Sequence, residues 1–320
     1  MSKQVHVIFG TGPLGMAVMR ELKRRGVERI RMVNRSGRLS EEAAVEVARG
    51  DASQLDEAIA LCQDASVVYH CAHPGYTNWP TQFPALTQGI MEGAAAAGAK
   101  LVYGDNLYMY GQVDQPLTEN LPHRATGKKG LTRAQMAEAL LHAHQSGKVR
   151  VAIGRASDFY GPGVKESSLG ERVFGFALQG KPVDLLGSLD VPHTYTYIDD
   201  FAKGLVTLGQ EDRALGEAWH IPSAKTLTTR EMLGLIFDEL GSASKIRTTS
   251  RGMVTMIGLF HPMLRELKEM LYEFEHPFVL DHSKFVAVFG PQTTTPHEEA
   301  IRHTVRWYKN EMQAQAQRNR

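Results

Sequence analysis

The feature that most constrains this chain is a glycine cluster, Gly10-Thr11-Gly12-Pro13-Leu14-Gly15, set between a short apolar run and the start of a helical pattern. The run Val5–Phe9 reads as a strand, and the helical pattern begins at Pro13. A G-x-G-x-x-G at such a junction has a geometric purpose. The first glycine permits a tight turn, the second lets the backbone approach a pyrophosphate, and the third allows close helix–strand packing. The free N–H groups of the helix N-terminus then face the phosphates. In this context the cluster points to a dinucleotide site, with Gly10, Gly12, Pro13, Leu14 and Gly15 as cofactor-binding residues.

The rest of the first half repeats the same rhythm. Apolar runs at 29–33, 44–49, 66–71, 100–103 and 149–153 read as strands, and 54–61, 85–97 and 132–146 read as helices. This alternation implies βαβ units, a parallel sheet and a Rossmann-type, doubly wound α/β fold. After Gly163 the rhythm breaks into a smaller, mostly helical C-terminal lobe, with helical patterns at 169–179, 199–210, 229–240 and 251–274. The last helix, from His297, sets Ile301, Val305 and Tyr308 on one face, and the polar tail after Lys309 is expected to fray. The expected division is residues 1–163 and 194–224 for the cofactor, and 164–193 and 225–320 for the substrate.

Which dinucleotide is read at the end of the second strand. NAD sites place an acidic residue about 20 positions on, where it binds the ribose 2′-hydroxyl. Here the sequence is Asn34-Arg35-Ser36-Gly37-Arg38, without a carboxylate. Arg35 and Arg38 suit a 2′-phosphate and Ser36 adds a donor, so NADP is favoured over NAD.

Composition excludes other classes. A hydrophobic fraction of 42% supports a real core, and 36 basic against 35 acidic residues leave no basic footprint for nucleic acid or an anionic membrane. Cys62 and Cys71 fit neither a metal-ligand spacing nor a disulfide framework, and no metal is expected. His142 and His144 stand two apart on a helix and share no face. With no signal region at the start and no apolar run of membrane length, a cytoplasmic protein is expected.

Several further segments together resemble the extended short-chain dehydrogenase/reductase family of nucleotide-sugar epimerases and dehydratases. Asp51-Ala52 resembles the adenine-contacting segment, and Tyr69-His70-Cys71-Ala72 resembles the H-x-A beside the cofactor ribose. Tyr110-Gly111, the R-A-S-D-F-Y-G-P-G from Arg155 and the Tyr197-Ile198-Asp199-Asp200 run complete the likeness. The resemblance implies that Asn34, Asp51, Ala52, Cys71 and Ala72 help bind the cofactor. It also implies a homodimer as the form such chains take.

The departures matter as much. The family's Tyr-x-x-x-Lys pair, which handles the proton and binds the nicotinamide ribose, is replaced by Lys129 and Arg133, and its serine by Asn106. Arg133 can still bind ribose hydroxyls, but a guanidinium holds its proton. Lys129 serves as an acid or base only where burial or a neighbouring cation loosens its proton, and it is otherwise a solvated charge. Tyr108 is the candidate substitute, with Asn106 orienting a carbonyl or hydroxyl. Tyr108, Lys129 and Asn106 are therefore the candidate catalytic residues, and His73 and Asp105 lie where a substrate would reach them.

On the substrate side the family's diphosphate-holding asparagine and arginine are replaced by Asp158 and His193. An ionised aspartate repels a diphosphate, and a mostly neutral imidazole replaces a permanent cation. A nucleotide-diphosphate sugar is thus expected to be excluded. Met253, Met256, Leu259, Phe260, Met263 and Leu264 form a lobe core, or line a site for a small, moderately apolar compound. Asp199 and Asp200 stand at a helix start and read as capping residues. The expected activity is NADP-dependent oxidoreduction or epimerisation of a small carbonyl or hydroxyl compound. Two other readings stay open: a non-catalytic NADP-binding sensor, and a lyase or hydrolase on the same fold.

Overall fold

Seven short strands pair side by side in a single parallel sheet. Six are β1 (Val5–Phe9), β2 (Ile30–Asn34), β3 (Glu46–Arg49), β4 (Ala65–His70), β5 (Lys100–Asp105) and β6 (Arg150–Arg155), and the seventh is Ala218–His220. Their order is β3-β2-β1-β4-β5-β6, with Ala218–His220 beyond β6. The chain therefore crosses over between β1 and β4, the point at which open α/β sheets bind ligands outside their strand ends. The computed structural model describes residues 5–39, 44–258 and 267–318.

The sheet belongs to the first of two units, comprising Met1–Gly111, Pro122–Arg155 and Phe201–Ile221. Its helices include α1 (Pro13–Arg24), α2 (Leu55–Leu61), α3 (Trp79–Ala96) and α4 (Lys128–Gln145). Every residue of β1 is buried, and so are five of the six in β4, which is the pattern of a sheet covered on both faces. Val7, Val68, Leu101 and Ile153 from the strands pack in one cluster with Ile90, Ala94, Met136 and Leu140 from α3 and α4. The expected Rossmann-type order is present, and the third strand begins at Glu46 rather than residue 44.

The second unit comprises Gln112–Leu121, Ala156–Asp200 and Pro222–Arg320. It thus takes in 112–121, 156–163, 194–200 and 222–224, which the sequence reading grouped with the cofactor half. Its core gathers Val173, Phe174, Met232, Leu233, Ile236, Ile301, Val305 and Tyr308. The helix Thr229–Leu240 starts on a reciprocal cap. The Thr228 hydroxyl accepts from the Glu231 N–H at 3.2 Å, and the Thr228 N–H donates to the Glu231 carboxylate at 2.7 Å. The helix ends at Gly241 in the left-handed conformation. The helix His297–Arg318 continues beyond Lys309, through the polar tail. Ile301, Val305 and Tyr308 are buried along one side of it, which anchors its first half.

Asp200 acts at longer range than a helix cap: its carboxylate accepts from the Thr295 N–H at 2.7 Å and the Thr295 hydroxyl at 2.9 Å. Leu259, Phe260, Met263 and Leu264 lie outside the described residues. Met253 and Met256 are exposed, so they do not serve as the lobe core expected of them. Among the described residues no helix is long and apolar enough to cross a membrane, and no cluster of three or more His, Cys, Asp or Glu suits a metal.

Two expectations follow from this core. Leu101→Ala, at a fully buried site on β5, should cost about 2–5 kcal/mol in a denaturant titration. Two buried imidazoles should make the fold acid-sensitive. Burial pushes His6 down to about 4. Burial, helped by the Arg133 charge and His73, pushes His70 down to about 3. Below the ordinary histidine value near 6.5 the unfolded chain takes up protons that the folded chain refuses. Stability should therefore fall as pH drops from about 6.5 towards these lower values, by about 1 kcal/mol per pH unit for each group. His70→Gln should flatten that slope, and an unchanged slope would remove His70 from the account.

Candidate active site

The glycine cluster is built as its sequence requires. Gly10 has φ +97°, and a Cβ there would lie 2.7 Å from the backbone of Ala72, just past β4. A Cβ on Gly15 would collide with the Gly10 carbonyl, so α1 packs against the turn only because both positions are glycine. Gly12 differs, since a Cβ there would meet nothing within 4 Å. Gly12 is the N-cap of α1, and no side chain caps the helix. Its first-turn N–H groups therefore stand at an open end, between β1 and β4, with Pro13 and Leu14 opening the helix. This is a cradle for an anion.

Asn34 closes β2 and shapes the following turn. Its side-chain oxygen accepts from the N–H groups of Ser36, at 3.0 Å, and Gly37, at 2.6 Å. Its amide donates to Thr11 Oγ1 at 2.9 Å, tying this turn to the glycine cluster. Arg35, Ser36 and Arg38 are exposed on the same turn. Asp51 accepts from the Ser53 N–H and hydroxyl, which holds its carboxyl below the usual range, with a smaller contribution from Arg35. Ala52 and Cys71 are buried, and burial drives the Cys71 thiol upward. His73 is exposed, and its Nδ1 lies 3.0 Å from the Pro74 carbonyl.

The candidate catalytic residues gather around aromatic rings at the carboxyl end of β5. Asn106 accepts from the Tyr108 N–H at 3.2 Å, and Tyr108 stacks on Trp79 with ring centres 6.1 Å apart. Trp79 in turn meets Tyr76 at 5.2 Å. Lys129 is fully buried in the first turn of α4, with its ammonium 4.2 Å from the centre of the Tyr76 ring. It is no solvated charge. Tyr108 and Lys129 are thus brought to one aromatic pair, as neighbours in space from separate segments.

Arg133, one turn along α4, points into the interior. Its guanidinium lies 4.3 Å over Trp79 and 4.6 Å over Phe83. Nη1 donates to Tyr103 Oη at 2.6 Å and to Asp105 at 3.2 Å. The other Asp105 oxygen accepts from Arg155 Nε at 3.3 Å. Arg155 also donates to Tyr110 Oη at 2.6 Å, and that hydroxyl lies 2.8 Å from His220 Nε2. Asp105, expected to face substrate, is instead occupied by two arginines. Sequence reading missed Tyr76, Trp79, Phe83 and Arg155 as parts of this region. The i, i+4 spacing of Trp79 and Phe83 on one helix face was the available signal.

In the second unit Asp158 and His193 face each other, with an oxygen and Nε2 3.4 Å apart. Ser168 donates to Asp158 at 3.1 Å. The His193 Nδ1–H donates to the Glu273 carbonyl at 3.0 Å, and the ring is stacked on Phe274. Glu273 is completely buried, and its carboxyl is pushed well above the usual range by burial and then by Asp158.

The comparisons with known proteins agree with this geometry and correct one expectation. The family model described as NAD dependent epimerase/dehydratase family matches residues 6–221. A dTDP-glucose 4,6-dehydratase of Streptomyces antibioticus is 24% identical over 221 residues, 64% of this chain and 64% of that one. An uncharacterized UDP-glucose epimerase of Bacillus subtilis (strain 168), YtcB, is 23% identical over 202 residues, 60% of this chain and 64% of that one. The match therefore spans under two thirds of the length of these curated relatives. A solved UDP-glucuronic acid 4-epimerase from Bacillus cereus, in complex with UDP-glucuronic acid and NAD, superposes with a TM-score of 0.79 at 18% identity, covering 96% of this chain and 100% of that one.

These relatives are named for nucleotide sugars, which overturns the expected exclusion of that substrate class. The exclusion counted the formal charge of Asp158 without its surroundings, yet that carboxylate accepts from Ser168 and lies 3.4 Å from His193 Nε2. By the match over residues 6–221, the chain belongs to the NAD-dependent epimerase/dehydratase family.

Proposed function

We propose that this protein is a hydride-transfer enzyme of the epimerase or dehydratase kind, taking NADP in preference to NAD and a nucleotide-diphosphate sugar as substrate. The observation that carries the reading is the uncapped end of α1 at Gly12, open where a pyrophosphate would approach and flanked by the basic turn after β2. Gly10, Gly12, Pro13, Leu14 and Gly15 would hold the pyrophosphate, and Arg35, Ser36 and Arg38 the 2′-phosphate. Asn34 keeps the two turns together through Thr11. Asp51 and Ala52 suit the adenine side, and Cys71 and Ala72 the ribose side. When bound, the nicotinamide supplies hydride acceptance and return.

The protein's own task is then to orient a sugar hydroxyl and move one proton. Tyr108 is half-buried and stacked on Trp79, which makes its phenol the proton carrier of the site. Lys129, held over Tyr76, supplies positive charge to the same aromatic group. The Asn106 oxygen is spent on the Tyr108 N–H, leaving its amide N–H groups to donate to a sugar oxygen.

Fluorescence titration with NADPH and NADH tests the cofactor half of this reading. NADPH should bind more tightly, and Arg35→Ala should weaken NADPH by about tenfold while leaving NADH unchanged. Gly12→Ala should leave the thermal midpoint unchanged, because its Cβ meets nothing, yet weaken both nucleotides. Equal affinities for NADPH and NADH in both proteins would remove the NADP preference. Undiminished binding in Gly12→Ala would move the pyrophosphate away from α1.

A further inference from the structure

Asp158, His193 and Glu273, all of the second unit, leave one position between them open for a proton. His193 Nδ1 lies 3.0 Å from the Glu273 carbonyl, and a carbonyl only accepts, so Nδ1 carries a hydrogen. In the neutral ring Nε2 is then a bare lone pair. It is buried without a hydrogen-bond partner, yet it stands 3.4 Å from Asp158 Oδ2. That oxygen is an acceptor too, and takes the Ser168 hydroxyl hydrogen at 3.1 Å. Two acceptors facing each other repel, and one added proton turns the same contact into a charge-assisted hydrogen bond. Asp158 is the member of the pair that meets the outside, its side chain being 13% exposed against 1% for His193.

The surroundings decide where that proton goes. Among the described residues, Glu273 and Tyr195 are the other titratable groups beside the pair. Glu273 Oε1 is buried without a partner, and burial, then Asp158, push its carboxyl well above the usual range, so it stays uncharged. The Tyr195 ring centre lies 4.5 Å from that of His193. Burial pushes this phenol upward, so it keeps its proton, with its oxygen 2.8 Å from Thr229 Oγ1. The remaining contacts of His193 are apolar: Phe274 and Phe278 stack on the ring, and Leu227 pairs with it from the neighbouring strand. Asp158 therefore gives the group its negative charge, and a proton on His193 cancels it.

We propose that Asp158 and His193 form a proton-gated anion subsite, which admits the substrate's diphosphate when a proton is taken up between Oδ2 and Nε2 and repels it otherwise. This rests on the nucleotide-sugar reading above. It goes further in linking substrate binding to proton uptake, and in making Glu273 a positioning residue whose backbone carbonyl fixes which ring nitrogen takes the proton. An arginine at position 193 would hold its charge at every working pH, whereas a histidine makes that charge conditional.

Isothermal titration of the NADP⁺-saturated protein with UDP-glucose, whose diphosphate keeps the same charge near neutral pH, reads the linkage directly. The bound form holds more protons than the free one, so affinity should rise as pH falls from about 8 to about 6, by up to about tenfold per pH unit. Repeating the titration in buffers of different protonation heat should count about one proton taken up per ligand at the alkaline end. Asp158→Asn removes the charge and offers an amide donor to Nε2, so the uptake should vanish and the alkaline affinity should rise. His193→Gln should abolish the uptake as well. No uptake in the unaltered protein, or an uptake that survives Asp158→Asn, would overturn the gate. If UDP-glucose binds at no pH, the nucleotide-sugar reading fails, and ring-nitrogen NMR of the ligand-free protein decides the proton position alone. Nε2 of His193 should then gain a proton across this range while Nδ1 keeps its own, and Asp158→Asn should move that step to lower pH. An Nε2 that does not titrate, or a step indifferent to Asp158→Asn, would overturn it.

Discussion

One carboxylate, Asp105, holds the working end of the sheet together. It closes β5 and accepts from arginines on α4 and β6, so three neighbouring elements are registered by a single side chain. Charge of this kind is expensive to bury, and it persists because each guanidinium has further partners: Tyr103 and two aromatic faces for Arg133, Tyr110 for Arg155. The candidate catalytic residues depend on this arrangement. Arg133 fixes the rotation of α4, and that rotation turns Lys129 inward towards Tyr76. Trp79, stacked on Arg133, in turn supports Tyr108. Removing the negative charge at Asp105 would leave two buried cations facing each other across β5.

The parts legible in the sequence are those governed by local rules. The glycine cluster could be read because its turn and the close approach of Gly15 to the Gly10 carbonyl lie within six residues of chain, whereas the close approach of Gly10 to Ala72 comes from a distant strand end. The parallel sheet could be read because its strands are apolar on both faces, and the helix Thr229–Leu240 because its cap lies within its own first turn.

What could not be read depends on partners far apart in the chain. Arg133 carries no sign in its own sequence that Trp79, Phe83, Tyr103 and Asp105 will surround it. Asp158 shows the same failure with the opposite result. Its formal charge argued against a diphosphate, but relatives named for nucleotide sugars overturn that, and nothing in its own segment shows that His193, thirty-five positions away in sequence numbering, will lie beside it in the fold. The short parallel pair Val183–Leu186 and Ile246–Thr249 was invisible for a related reason: neither segment is apolar enough to announce itself without the other.

The central claim is that the chemistry proposed for the carboxyl end of β5 serves hydride transfer to and from a sugar. Its most direct test mixes NADP⁺-loaded protein with a stoichiometric UDP-linked uronate or hexose and follows the absorbance of reduced nicotinamide through a single turnover. The account expects a rise in that absorbance, abolished or strongly slowed by Tyr108→Phe. A protein that binds both molecules yet shows no reduced nicotinamide at any time would contradict it.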